Sequence, residues 1–73
     1  MKTAVISGGA GGLGRALSSA LQAEGWRVVL LDRDIAGLES HERQWPIACD
    51  LTDAAARGAV FARVIDESPS IDL

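Results

Sequence analysis

Apolar and polar positions alternate in short blocks along this chain. Thr3-Ala4-Val5-Ile6-Ser7 is a brief apolar run that ends at glycine, and Arg27-Val28-Val29-Leu30-Leu31-Asp32 is a second. Four apolar residues in succession, Val28 to Leu31, suit a strand covered on both faces, as the strands of parallel sheets are. Between the two runs the period changes. Leu13, Leu17 and Leu21 recur at every fourth position, with Ala16 and Ala20 beside them. That spacing predicts one buried stripe on a helix of about a dozen residues, and Gly25 supplies its stop. Strand, glycine turn, helix, glycine stop and strand make a βαβ unit, whose crossover is expected to be right-handed.

The second half repeats the rhythm. Residues 34–43 predict a short polar helix. Pro46 is excluded from the middle of a strand but not from its first residue, which puts a short third strand at 46–49. Thr52 or Asp53 can cap a further helix, with Ala56, Val60 and Val64 together with Phe61 and Ile65 as its buried stripe. Gly58 weakens that helix. Ser68-Pro69-Ser70 ends it, and Ile71-Asp72-Leu73 predicts the beginning of a fourth strand.

Composition narrows the field. With 73 residues the chain holds at most one small domain, of a size that buries only about 60% of the surface its unfolded form exposes. One Cys allows no internal disulfide, and one His with one Cys makes a poor metal site, so no metal is expected. A formal charge of -3 and no basic run argue against nucleic acid or a membrane surface as a partner. The amino terminus is too short in apolar residues for a signal-peptide core, and no run approaches a membrane span. A reducing cytoplasm is the expected compartment.

The densest chemical signal is Ser7-Gly8-Gly9-Ala10-Gly11-Gly12-Leu13-Gly14, which follows the first strand and opens the first helix. A helix N-terminus carries unpaired N–H groups and a partial positive charge, so it attracts phosphate where the preceding turn lets a ligand approach the backbone. Gly9, Gly11 and Gly14 fit the dinucleotide spacing G-x-G-x-x-G, and Gly8, Gly12 and Gly14 fit G-x-x-x-G-x-G. Glycine spacing alone is a weak signal; the flanking strand, the helix and Asp32 at the tip of the next strand strengthen it. A purely structural tight turn is the bland alternative. An ATPase-type phosphate loop is disfavoured, because Gly14 is followed by Arg15-Ala16 rather than Lys-Ser/Thr. A carboxylate at Asp32 can accept hydrogen bonds from both ribose hydroxyls of an adenosine and repels a 2′-phosphate, which favours NAD. Arg33 beside it could instead hold a 2′-phosphate, which leaves NADP open.

These residues resemble the short-chain dehydrogenase/reductase family. Ser7 to Gly14 is similar to its Thr-Gly-x-x-x-Gly-(Ile/Leu)-Gly loop, with Ser for Thr; Val28 to Asp34 is similar to its second strand with the ribose acid; Cys49-Asp50-Leu51-Thr52-Asp53 is similar to its Asp-(Val/Leu)-(Ser/Thr) element. The resemblance implies a Rossmann-like α/β fold. Three layers, α/β/α, would enclose a parallel sheet in a βαβαβα order, with strand order 3-2-1 and the chain stopping at the start of strand 4. Residues 1–73 would then form a partial NAD(P)-binding domain. Gly8, Gly11, Gly12, Leu13, Gly14, Asp32, Arg33, Asp50 and Leu51 would meet the cofactor. Within that set Asp50 would bond the adenine amino group, and the Leu51 backbone would line the adenine pocket.

The family also implies hydride transfer between nicotinamide and an alcohol or carbonyl, through a Ser and a Tyr-x-x-x-Lys pair. This chain has no Tyr, and its one lysine is Lys2, so no catalytic residue is carried over and the chain is expected to be inactive alone. The competing expectation is a nucleotide-binding or oligomerisation module without catalysis. Without a fourth strand the first is an open edge, which predicts a homo-oligomer through that edge or by exchange of elements. Cys49, Trp26 and Trp45 are expected to pack, and His41 to be exposed.

Overall fold

The structure, a computed structural model, describes residues 2–8 and 10–67. Strand β1 (Thr3–Ser7) leads to helix α1 (Gly12–Ala23), strand β2 (Arg27–Asp32), strand β3 (Gln44–Ala48) and helix α2 (Ala54–Glu67). The sheet is parallel in the order β1-β2-β3, with Val5 opposite Val29 and Val29 opposite Trp45. The central strand is also the most apolar one, and Val28, Val29, Leu30 and Leu31 are all buried. Their alternation feeds two cores. Val28 and Leu30 join Ile6 and, from α1, Leu21; Val29 and Leu31 join Ile47 and, from α2, Val64. The helices therefore cover opposite faces, which gives the three-layer Rossmann-like α/β arrangement expected. No helix among the described residues is long and apolar enough to cross a membrane.

Helix α1 ends as its glycine predicts. Gly25 takes φ +88°, and Trp26 N–H reaches back to Leu21 O at 3.0 Å while Gly25 N–H reaches Gln22 O at 3.0 Å, a Schellman closure. At the start of α2, Asp53 is the cap. Its Oδ1 accepts Ala55 N–H at 3.0 Å and Ala56 N–H at 3.2 Å.

Four expectations are corrected. Residues 34–43 form turns, not a helix: Asp34 Oδ1 captures Ala36 N–H at 2.9 Å, and Gly37 sits at φ +82°. A side chain that bonds the nearby backbone competes with helix formation. Leu38 from this connection packs against the core of Ile6, Val28 and Leu30, on the same side of the sheet as Leu21 of α1. The α1 stripe is also displaced: Leu13 is 86% exposed and Leu17 43%, whereas Ser18 is buried. Positions four apart advance by about 40° around a helix, so only the end of the leucine row, Leu21, turns under towards the sheet. On α2 the sheet-facing side is Val60 and Val64, while Phe61 and Ile65 are exposed. Finally, β3 starts at Gln44 and holds Pro46 at its middle, which is tolerated because β3 is an edge strand among the described residues and its free side needs no N–H donor. The expected helix break at 68–70 and strand at 71–73 lie outside the described residues.

Candidate functional site

The site is built at the carboxyl end of the sheet, where β1 and β2 stop side by side. Gly8 N–H extends the ladder by donating to Leu31 O at 2.8 Å. The chain then turns through φ +68° at Gly8, a left-handed conformation that costs a residue with a Cβ about 1–2 kcal/mol. Gly11 N–H returns to Gly8 O at 3.1 Å, and the helical ladder opens with Arg15 N–H to Gly11 O at 2.9 Å. Gly9 lies outside the described residues.

Gly11 is the N-cap of α1 and brings no side-chain cap, and the first turn carries no acid. The N–H groups of Gly12, Leu13 and Gly14 are thus left without intrahelical acceptors at the positive end of the helix. A Cβ on Gly12 would meet no protein atom within 4 Å. Its bareness is not demanded by packing, and it leaves open space in front of the helix.

Asp32 closes β2 and its carboxylate reaches the bend. Oδ2 accepts Ala10 N–H at 3.0 Å, and Oδ1 accepts Asp34 N–H at 3.3 Å. The Ala10 bond is the main reason that the Asp32 pKa lies below its ordinary value, with Asp34 N–H adding to it. Asp50, just beyond β3, is held in a local turn: its Oδ1 accepts Thr52 Oγ1–H at 2.6 Å and Thr52 N–H at 3.0 Å. Those two bonds, the hydroxyl first, lower the Asp50 pKa, and the positive charge of Arg33 lowers it further.

A cleft of about 240 Å³ joins these groups. Leu31 and Cys49 belong to its apolar part, and Gly8, Asp32, Arg33, Asp50, Leu51 and Thr52 complete it. Of the predicted residues, the cleft brings together Gly8, Asp32, Arg33, Asp50 and Leu51, while Gly11, Gly12, Leu13 and Gly14 form the adjoining bend and first turn of α1. Sequence reasoning missed Ala10 and Thr52. Thr52 carried a signal, since an Asp followed two positions later by Thr is a local capping pattern; a backbone N–H such as that of Ala10 carries none. A larger crevice, about 330 Å³, lies on the α1 side between Arg15, Ser18 and Gln44 and holds none of the predicted residues.

A parallel sheet between two helical layers, with a glycine bend feeding a helix and an acid at the tip of the next strand, defines a dinucleotide-fold protein. Comparison with known proteins agrees. The family model described as short chain dehydrogenase matches residues 2–73, and the chain belongs to that family of oxidoreductases. It is 36% identical over 77 residues to a sorbitol dehydrogenase of Cereibacter sphaeroides, with 99% of this chain and 30% of that protein covered. It is 35% identical over 72 residues to the uncharacterized oxidoreductase YuxG of Bacillus subtilis (strain 168), with 99% of this chain and 10% of that protein covered. A solved short-chain dehydrogenase from Streptomyces avermitilis superposes with a TM-score of 0.84 at 26% identity, across 99% of this chain and 29% of that one. The chain thus spans a third or less of the length of these relatives.

Proposed function

We propose that residues 1–73 form the part of a short-chain dehydrogenase domain that holds the adenosine diphosphate end of NAD. The observation that carries this is the placement of the Asp32 carboxylate at the mouth of the glycine bend, within 3.0 Å of Ala10 N, beside a cleft that runs on to Asp50. The donor set fits the group. Open backbone N–H groups at Gly12 to Gly14 suit a pyrophosphate, the Asp32 carboxylate suits a ribose diol, and the cleft that Leu31, Cys49 and Leu51 line together with Asp50 suits a purine with an exocyclic amine. When bound, the nicotinamide supplies hydride transfer.

This chain's own residues orient the cofactor rather than react. With no Tyr, and Lys2 as its one lysine, the 73-residue polypeptide has no proton-transfer pair of the family's kind and is expected to give no turnover alone. Asp32 supports NAD over NADP, because a 2′-phosphate beside it would place like charges together. Arg33 lines the same cleft and is the group that could hold a 2′-phosphate instead, so the choice between the two cofactors is left to titration. Cytoplasmic placement belongs to the same proposal.

Calorimetric titration of NAD, NADP and ADP-ribose is the test. NAD and ADP-ribose should bind with similar affinity and NADP at least about tenfold more weakly, a difference of about 1.4 kcal/mol. Equal binding of NADP would remove the specificity assigned to Asp32, and no binding of any of the three would remove the dinucleotide reading. Among the described residues β1 pairs on one side only, and Leu13 and Leu17 are exposed; these favour a second reading, in which the chain associates with another copy.

A further inference from the structure

The bend before α1 is weakly held from within. Gly11 contributes no capping side chain, and among the described residues the backbone bond within the bend is Gly11 N–H to Gly8 O. Glycine-rich backbone loses the most freedom when fixed, so a bend of this composition needs an external tie to keep one shape. Among the described residues of the bend, Ala10 N–H to Asp32 Oδ2 is the one hydrogen bond to a side chain, and it spans 22 positions of sequence. The other end of that bond is firm. Asp32 closes the central strand, its neighbours Leu30 and Leu31 are buried, and its carbonyl accepts Cys49 N–H at 2.8 Å.

We propose that Asp32 is a positioning residue for the glycine bend: its bond to Ala10 N–H fixes the turn that aims the first N–H groups of α1, and so couples the sugar end of the site to its phosphate end. The proposal deepens the dinucleotide reading and rests on it for its ligand arm. The two duties are compatible, because each carboxylate oxygen has two acceptor positions and Oδ2 is left with one for a hydroxyl.

The coupling makes a prediction of opposite sign to simple electrostatics. If Asp32 served only the sugar, removing its charge would strengthen binding of a sugar-free anion at the helix terminus. If it ties the bend, Asp32→Ala should weaken that binding although a repelling charge is gone. Asp32→Asn, which keeps an acceptor for Ala10 N–H, should not weaken it.

Two readouts on the 15N-labelled 73-residue protein separate these cases. In ligand-free protein, Ala10 amide exchange should accelerate about fivefold or more in Asp32→Ala, the loss expected for one hydrogen bond, while Val29 in the core stays protected and Asp32→Asn stays near wild type. Titration with inorganic pyrophosphate should give a weaker constant for Asp32→Ala and an equal or tighter one for Asp32→Asn. Equal Ala10 exchange in all three proteins, or tighter pyrophosphate binding by Asp32→Ala, overturns the tie.

If Asp32→Ala does not fold, the Ala10 amide proton should still move upfield in Asp32→Asn as a charge-assisted bond becomes a neutral one; an unmoved signal overturns the proposal. Exchange loss at Ala10 in a protein that binds no pyrophosphate supports the tie and counts only against the phosphate reading.

Discussion

Asp32 and Asp50 share a chemistry set by hydrogen bonds more than by neighbouring charge. Both carboxylates accept N–H donors, Ala10 for Asp32 and Thr52 for Asp50, and both pKa values lie below the ordinary 3.8. A group whose folded pKa is depressed stabilises the fold above its unfolded pKa, and that contribution disappears as pH falls through the folded value. Stability from these two sites should therefore be complete at neutral pH and decline only below the ordinary carboxylate range. Thr52→Val should raise the Asp50 pKa towards 3.8, because it deletes the hydroxyl donor that dominates the shift. Carboxyl carbon chemical shifts followed through an acid titration would check this; an unchanged Asp50 midpoint would show that the hydroxyl bond does not form. Asp32 was legible in sequence because it follows an apolar run at a strand tip, and Asp50 through the resemblance of Cys49 to Asp53 to a family element. The tie from Ala10 was not, because any residue but proline offers the same N–H and only the fold brings it to a carboxylate.

At the level of elements, strands were easier to read than helix faces. β1 and β2 fall where the apolar runs place them, at Thr3–Ser7 and Arg27–Asp32, because a strand buried on both sides tolerates no polar interruption. A helix is less constrained: several rotations bury some apolar residues, and packing against the sheet selected the Ser18 and Leu21 side of α1. Gln22 joins that choice by donating to both Ser18 Oγ and Gln44 Oε1 at 2.8 Å, which ties α1 to β3. Two positions at and in α2 predict effects of opposite sign. Asp53→Ala removes the cap and should lower stability by about 1 kcal/mol. Gly58→Ala places a methyl where nothing lies within 4 Å and should raise it by about 0.5–1 kcal/mol. Urea unfolding of the two variants would check both signs.

For the whole molecule, the central strand carries both cores, so damage there should be out of proportion to damage elsewhere. Leu31→Ala, at a residue only 1% exposed, should cost about 2–5 kcal/mol. Replacing Leu17 with Gln should change stability by less than about 0.5 kcal/mol, as at ordinary surface sites. The sheet's other consequence concerns its edge. Among the described residues β1 pairs on one side only, and the edge strand of a sheet is where a strand of another copy can add. Under the association reading, light scattering of the 73-residue protein should give a mass above the monomer, and Leu13→Gln with Leu17→Gln should reduce it. A monomeric mass at high concentration would refute that reading.

Local composition was enough to specify the parallel βαβ core, the glycine bend, the stop at Gly25, a cap at Thr52 or Asp53 and the acid at Asp32, because each depends on a few neighbouring residues and a fixed backbone preference. Long-range packing settled the rest. Which face of α1 meets the sheet, whether residues 34–43 coil into a helix, how Pro46 is accommodated, and which backbone group meets Asp32 all depend on what lies across the fold, and no local pattern encodes those distances.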